Sequence, residues 1–182
     1  AVYLLLFGLF TSLWAVYRAE RQRANEDVLT GMFNRRFALN YLEQRFTAKS
    51  TNQRFCVMVI DLNDFKAIND NFGHAIGDAV LQGVSKRLLQ AVRSADIVAR
   101  MGGDEFLIIL NRMKSTGDTG IVVKKLRAIV EDQELVIDSV PFKPSLSIGT
   151  ACSDEQFNSL EHMLKTADTR MYEDKEAHRA SL

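Results

Sequence analysis

An α+β fold, a sheet with helices on its faces, is what this sequence predicts, and three observations predict it. Apolar strand-like runs intermingle with amphipathic stretches of helical period along the chain. Two of those runs are separated only by Gly102-Gly103-Asp104, the mark of a hairpin rather than a helical crossover. The chain has 182 residues, 47% apolar and 25% charged, which suits one ordinary domain with a short attachment and excludes a wholly disordered chain.

The elements follow in order. Met32 to Lys49 reads as a helix because Phe33, Phe37, Tyr41 and Leu42 return at three- and four-residue steps. Phe55 to Ile60 is too apolar for a surface strand and ends on Asp61. Asp64 is placed to cap a short helix through Asn71, and Gly73 and Gly77 should break the chain after it. Val80, Leu81, Val84, Leu88, Leu89 and Val92 mark one face of a long amphipathic helix. The hairpin runs from Ile97 to Met101 and back from Glu105 to Leu110. Ile121 to Val130 reads as a helix, Lys143 to Ala151 contains a strand, and Leu160 to Lys175 forms a final helix. The two prolines, Pro141 and Pro144, lie close together, and no repeat or low-complexity stretch interrupts the unit.

The first seventeen residues stand apart. Ala1 to Tyr17 carries no charge, and Arg18, Arg21 and Arg23 follow at once. At 1.5 Å per residue this run spans about 26 Å, the lower limit for a bilayer crossing, with a basic flank of the cytoplasmic kind. The expected organisation is a membrane helix over 1–17 at the end of a longer protein, a cytoplasmic stalk over 18–26 and a domain over 27–182. A buried or dimerising helix is the competing reading of the same run.

Lys plus Arg and Asp plus Glu are 23 each, so no overall field favours nucleic acid, and an anion site must be a local cluster. Nucleic acid is not an expected partner. Cys56 and Cys152 each sit in an apolar run, which excludes a disulfide scaffold and reads as two buried thiols in a reducing compartment.

Chemistry concentrates at a strand end and a hairpin tip. If the strand ending on Asp61 neighbours the hairpin carrying Asp104 and Glu105, hard oxygen ligands converge with no His or Cys among them. Such a set suits Mg²⁺ completed by substrate phosphate oxygens. Gly102 and Gly103 leave the turn bare of side chains, so a bulky ligand can lie against it. The helix after Asp61 presents its N-terminus and Lys66, a natural phosphate cradle. Asn69, His74 and Asp78 add donors and acceptors suited to a base or ribose. Each feature has a plainer meaning as turn, cap or surface residue.

Five ordered blocks then resemble one family. They are DVLTGMFNRR (Asp27–Arg36), VIDLNDFKAINDNFGHAIGD (Val59–Asp78), MGGDEF (Met101–Phe106), SLSIGTA (Ser145–Ala151) and TADTRMYEDKEAHR (Thr166–Arg179). Their order and spacing resemble the GGDEF family, the diguanylate cyclases. The resemblance implies a palm-like nucleotidyl-cyclase fold, with a central mainly antiparallel sheet flanked by helices and preceded here by the membrane or stalk helix. It implies condensation of two GTP into cyclic di-GMP and two pyrophosphates, dependent on Mg²⁺ or Mn²⁺, across a homodimer. Asp61, the Leu62 carbonyl and Asp104 match the metal ligands, and Asp104 matches the residue that helps deprotonate the 3′-hydroxyl. Glu105 supports that cluster, and Lys66 matches the residue that neutralises transition-state charge. Asn69, His74 and Asp78 match substrate contacts, and Lys175 with Arg179 matches a phosphate grip. Arg93 and Asp96 match a product-inhibition site for cyclic di-GMP. The expected location is the bacterial inner (cytoplasmic) membrane, with the catalytic domain in the cytoplasm.

Departures from the family pattern are few. Asn63 stands where Asp is frequent, Asp174 replaces a small residue, and His178 and Ala180 replace Gly and Asn. These put the last-helix grip in question. The alternative to an active cyclase is a catalytically silent domain acting as a receptor for GTP or cyclic di-GMP. The presence of Asp61, Lys66, Asp104 and Glu105 favours the enzyme.

Overall fold

The computed structural model describes residues 7, 10–14, 24–48, 54–113 and 117–180. From Phe33 onward the elements are β1 (Phe33–Asn34), α1 (Arg35–Thr47), β2 (Arg54–Leu62), α2 (Phe65–Phe72), α3 (His74–Ala91), β3 (Ile97–Gly102) and β4 (Glu105–Met113). They continue with α4 (Gly117–Glu131), β5 (Leu135–Ile137), β6 (Val140–Phe142), β7 (Leu146–Cys152) and α5 (Leu160–Ala180). The main sheet has the order β1-β3-β4-β2-β7. Only β1 and β3 pair in parallel; the other neighbours are antiparallel. The expected α+β sheet, mainly antiparallel, is therefore present.

Side-chain alternation along β2 and β4 divides the core between two faces. Met58, Ile60 and Ile108 pack with Leu81, Leu88 and Leu126 of α3 and α4. Val57, Leu107 and Ile109 pack with Leu42 of α1 and with Met163 and Ala167 of α5. Asn34 starts α1 as its N-cap, its side chain accepting the Phe37 N–H at 3.0 Å.

Several expectations are corrected. Asp64 adopts a left-handed backbone (φ 57°) and makes no side-chain capping bond to α2. Gly77 does not break the chain but lies inside α3, where a Cβ would sit 1.9 Å from Asn69 Oδ1, so the glycine serves a close approach rather than a break. The two cysteines form a disulfide rather than two free thiols. Strand register explains it: Cys56 and Cys152, 96 residues apart in sequence, are direct cross-strand partners of β2 and β7.

Of the expected membrane helix, residues 7 and 10–14 are helical, with Phe7, Phe10, Leu13 and Trp14 exposed. Among the described residues no helix is long and apolar enough to cross a membrane, so a span is not supported. The remainder of that segment, and residues 18–23 of the expected stalk, lie outside the described residues.

Candidate active site

The strand-end acid and the hairpin-tip acids meet. Asp61 is the cross-strand partner of Glu105, and the Leu62 N–H donates to the Asp104 carbonyl at 3.2 Å. Direct partners in an antiparallel pair project from the same face, so Asp61 and Glu105 share the face that carries α1 and α5. Asp104 completes the cluster from the two-residue turn between β3 and β4.

That turn depends on its glycines. Gly102 and Gly103 have φ of 141° and 55°, values that favour residues without a Cβ, and nothing lies within 4 Å of where a Cβ would point. The space over the turn is open to a ligand. The turn is braced from behind by Arg100, whose Nε and Nη2 donate to the Gly103 carbonyl at 3.0 and 2.8 Å. The same guanidinium reaches Asp27 Oδ1 at 3.2 Å, and that oxygen also accepts the Thr30 N–H and Oγ1 at 3.0 and 2.7 Å. Asp27 and Thr30 belong to the first matched block, but the role of Arg100 was missed. Its signal was a lone basic residue on an apolar strand just before the paired glycines.

Electrostatics distinguish these acids. Burial pushes the Asp104 carboxyl above its usual range; the Asp61 charge adds to this, while its own backbone N–H, Lys175 and Arg100 oppose it. Glu105 is likewise pushed up by burial, then by the charges of Asp104, Asp61 and Asp168, against Arg35. Lys175 partly offsets the crowding, its Nζ donating to Asp61 Oδ1 at 2.6 Å.

The donor set fits a hard divalent cation. Two carboxylates and a backbone carbonyl are oxygen ligands of the kind Mg²⁺ takes, and the Lys175 ammonium already stands in as a cation against Asp61. Among the described residues no three His, Cys, Asp or Glu side chains form a ready metal site.

Asn63, beside this cluster, is buried and accepts from Ser147 Oγ at 2.7 Å while donating to Ser145 Oγ at 3.1 Å. An amide, able to donate and accept, fills both roles at once. On the α2 side, Lys66 is exposed in the first turn and Asn69 is half-buried against Gly77. His74 and Asp78 are exposed on the first turns of α3. Arg179 is not brought to the cluster by any bond to it; it is exposed and pairs with Glu176 on its own helix at 2.8 Å.

Arg93 and Asp96 lie at the other end of β3. Asp96 builds the turn there, accepting the Arg93 and Asn111 N–H groups at 3.0 and 2.9 Å. The Arg93 side chain is exposed and borders two cavities of about 420 and 320 Å³.

Comparison with known proteins places this geometry. The family model "Diguanylate cyclase, GGDEF domain" matches residues 24–181. Probable diguanylate cyclase DgcT of Escherichia coli is 31% identical over 92% of this chain and 37% of its own length. Diguanylate cyclase TpbB of Pseudomonas aeruginosa is 34% identical over 87% of this chain and 37% of its own length. The solved GGDEF domain of TpbB superposes with a TM-score of 0.79 at 33% identity, covering 84% of this chain and 89% of that one. The coiled coil and GGDEF domain of DgcB from Caulobacter crescentus, solved with c-di-GMP, gives 0.79 at 25% identity and 95% of both chains. This chain spans less than half the length of these two curated relatives.

Proposed function

This chain belongs to the diguanylate cyclase GGDEF-domain family, and from that premise we propose that it condenses two GTP into cyclic di-GMP. Each 3′-hydroxyl oxygen bonds to the α-phosphorus of the other GTP, the bond to pyrophosphate breaks, and two pyrophosphates leave. The observation that carries this reading is the pairing of Asp61 with Glu105 and of the Leu62 N–H with the Asp104 carbonyl. It supports one cluster where a cation and a triphosphate can be held together.

Asp61, the Leu62 carbonyl and Asp104 would hold Mg²⁺ or Mn²⁺, which when bound neutralises phosphate charge and polarises the phosphoryl oxygens. Asp104 takes the hydroxyl proton. Glu105 supports the cluster. Lys66 neutralises charge on the phosphates as it develops. Asn69 and Asp78 read guanine, and His74 contacts the substrate. Lys175 transfers its grip from Asp61 to phosphate, with Arg179 joining after release from Glu176. Because each protomer supplies one GTP, the acting unit is a homodimer.

Arg93 and Asp96 are proposed to bind cyclic di-GMP as inhibitor, the exposed guanidinium meeting phosphate or guanine edges. Arg93→Ala should then lift inhibition by added product; an unchanged inhibition curve would remove that site. The uncharged run 1–17, the basic residues after it and the exposed Phe10, Leu13 and Trp14 support an anchor at the bacterial cytoplasmic membrane, with the domain in the cytoplasm.

The deciding experiment incubates the chain with GTP and Mg²⁺ over a range of protein concentrations. Dinucleotide formation that rises more steeply than linearly with protein supports the dimeric cyclase. Binding of GTP or cyclic di-GMP without turnover would make the domain a receptor instead.

A further inference from the structure

Strand β7 is an edge of the main sheet, so every second residue turns its backbone N–H and C=O away from β2. Charged side chains cover these groups one after another. Glu155 Oε1 accepts the Cys152 N–H at 2.7 Å, and Arg170 donates to the Thr150 carbonyl at 2.6 Å. Asp174 Oδ2 accepts the Ile148 N–H at 2.8 Å. At Leu146, Glu131 takes the N–H at 2.9 Å and Arg127 the carbonyl at 2.8 Å. Arg127 also joins Asp174 at 2.5 Å, and Arg170 joins Glu155 at 2.7 Å. Beyond the strand, His178 Nε2 lies 3.3 Å from Ser145 Oγ.

Three of these residues, Arg170, Asp174 and His178, are spaced four apart on α5. From Arg170 to Asp174 four helical residues rise about 6 Å, and from Thr150 to Ile148 two strand residues span about 6.7 Å, so these two steps of stripe and edge nearly match. The helix is pressed onto the strand between them: a Cβ at Gly149 would lie 1.9 Å from the Ala167 carbonyl. The adjoining face of α5 then carries Ala167 and Met171 into the core and Lys175 over Asp61. Asp174 and His178 are two of the positions where the sequence departs from the family pattern.

We infer that this stripe is a positioning device, locking α5 in register on β7 so that Lys175 is presented to Asp61 and to substrate phosphates. Asp174 is its central member and acts through Lys175 without touching substrate. A one-turn slip or a rotation of α5 would carry Lys175 off the acid cluster.

The catalytic consequence rests on the cyclase reading, so the test has one arm that does not. In the full 182-residue chain, amine acylation by an N-hydroxysuccinimide ester is followed at single lysines by mass spectrometry. Lys175 should react several-fold more slowly than exposed Lys124, and Asp174→Ala should bring the two rates together. Unchanged protection of Lys175 in Asp174→Ala would overturn the inference. If that variant does not fold, Asp174→Asn, which keeps an acceptor for the Ile148 N–H but loses the charge facing Arg127, must show partial deprotection or the inference fails. In the second arm, Asp174→Ala should lower kcat/KM for GTP about tenfold in the native background and not at all beside Lys175→Met. Equal losses in both backgrounds would show a merely structural role. Absence of turnover in the unmodified chain would defeat the cyclase reading, and the acylation arm would still decide the placement of Lys175.

Discussion

Two sets of carboxylates flank the same hairpin, and the fold treats them oppositely. Asp27, behind the turn, is surrounded by donors: burial alone would raise its carboxyl, but the Thr30 hydroxyl and N–H and the Arg100 guanidinium bring it below the usual range. Asp104 and Glu105, in front of the turn, are both pushed up by burial, Asp104 further by the charge of Asp61 and Glu105 by the charges of Asp104, Asp61 and Asp168. Arg100 touches both regions, bonding Asp27 on one side and the Gly103 carbonyl on the other. A carboxylate that builds structure is saturated with N–H and O–H groups, whereas one that awaits a cation is left short of them. The difference separates brace from site without reference to any relative.

The largest break of that contrast comes from the site side. Asp104→Asn should lower dinucleotide formation about a thousandfold or more, by removing both the proposed metal ligand and the proposed proton acceptor. Its melting temperature should be equal to or above that of the native chain, because the substitution relieves a crowded, raised carboxylate. A variant that melts clearly lower would place Asp104 with the structural acids.

A smaller effect should appear on ligand binding. The Mg²⁺ complex of a non-hydrolysable GTP analogue, added as one ligand at 100 times its dissociation constant, should stabilise the native chain by about 2.7 kcal/mol. The same addition should do much less for Asp104→Asn, while Asp27→Asn should respond as the native chain does. Equal thermal shifts in the native chain and Asp104→Asn would mean that the ligand sits elsewhere.

The converse substitution probes the brace. Asp27→Asn leaves Arg100 without its charged partner and weakens the bonds to Thr30, costing about 1–2 kcal/mol of stability in chemical denaturation. Turnover should fall much less than in Asp104→Asn. Loss of activity on the scale of Asp104→Asn, with stability unchanged, would reverse the two assignments.

Much of this was legible in the sequence, and the reasons are specific. The hairpin was readable because paired glycines between apolar runs leave few alternatives, whereas the meeting of Asp61 with Asp104 and Glu105 was expected only if their strands were neighbours, a condition met by the pairing of β2 with β4. The short hairpin of β5 and β6 was not, since three-residue strands show too little alternation and Pro141 lies in one of them. The Cys56–Cys152 bridge was missed because it depends on the register of two strands distant in sequence. Asp64 invited a capping role by position, yet its backbone turned left-handed and its side chain makes no cap. Asp174 looked like a defect in the last helix. Its partners, an edge N–H and an arginine from another helix, exist only in three dimensions.

The smallest expected effect is also the sharpest on sign, and it concerns pH in metal-free protein. The Asp27 carboxyl is lowered from 3.8, so the stability it contributes is present above that value and disappears as pH falls through the lower folded value. Glu155, lowered from 4.5 chiefly by its hydrogen bond with Arg170, behaves the same way. Asp104 and Glu105 are raised from 3.8 and 4.5, so the folded state holds their protons more tightly than the unfolded chain does. Their crowding therefore erodes stability progressively as pH rises through the carboxylate range. The stability gap between the native chain and Asp27→Asn should be constant at neutral pH and close below 3.8. The advantage of Asp104→Asn should instead be absent at low pH and open as pH climbs above 3.8. Denaturation curves at a series of pH values with a chelator present read both slopes; slopes of the same sign would erase the distinction between brace and site.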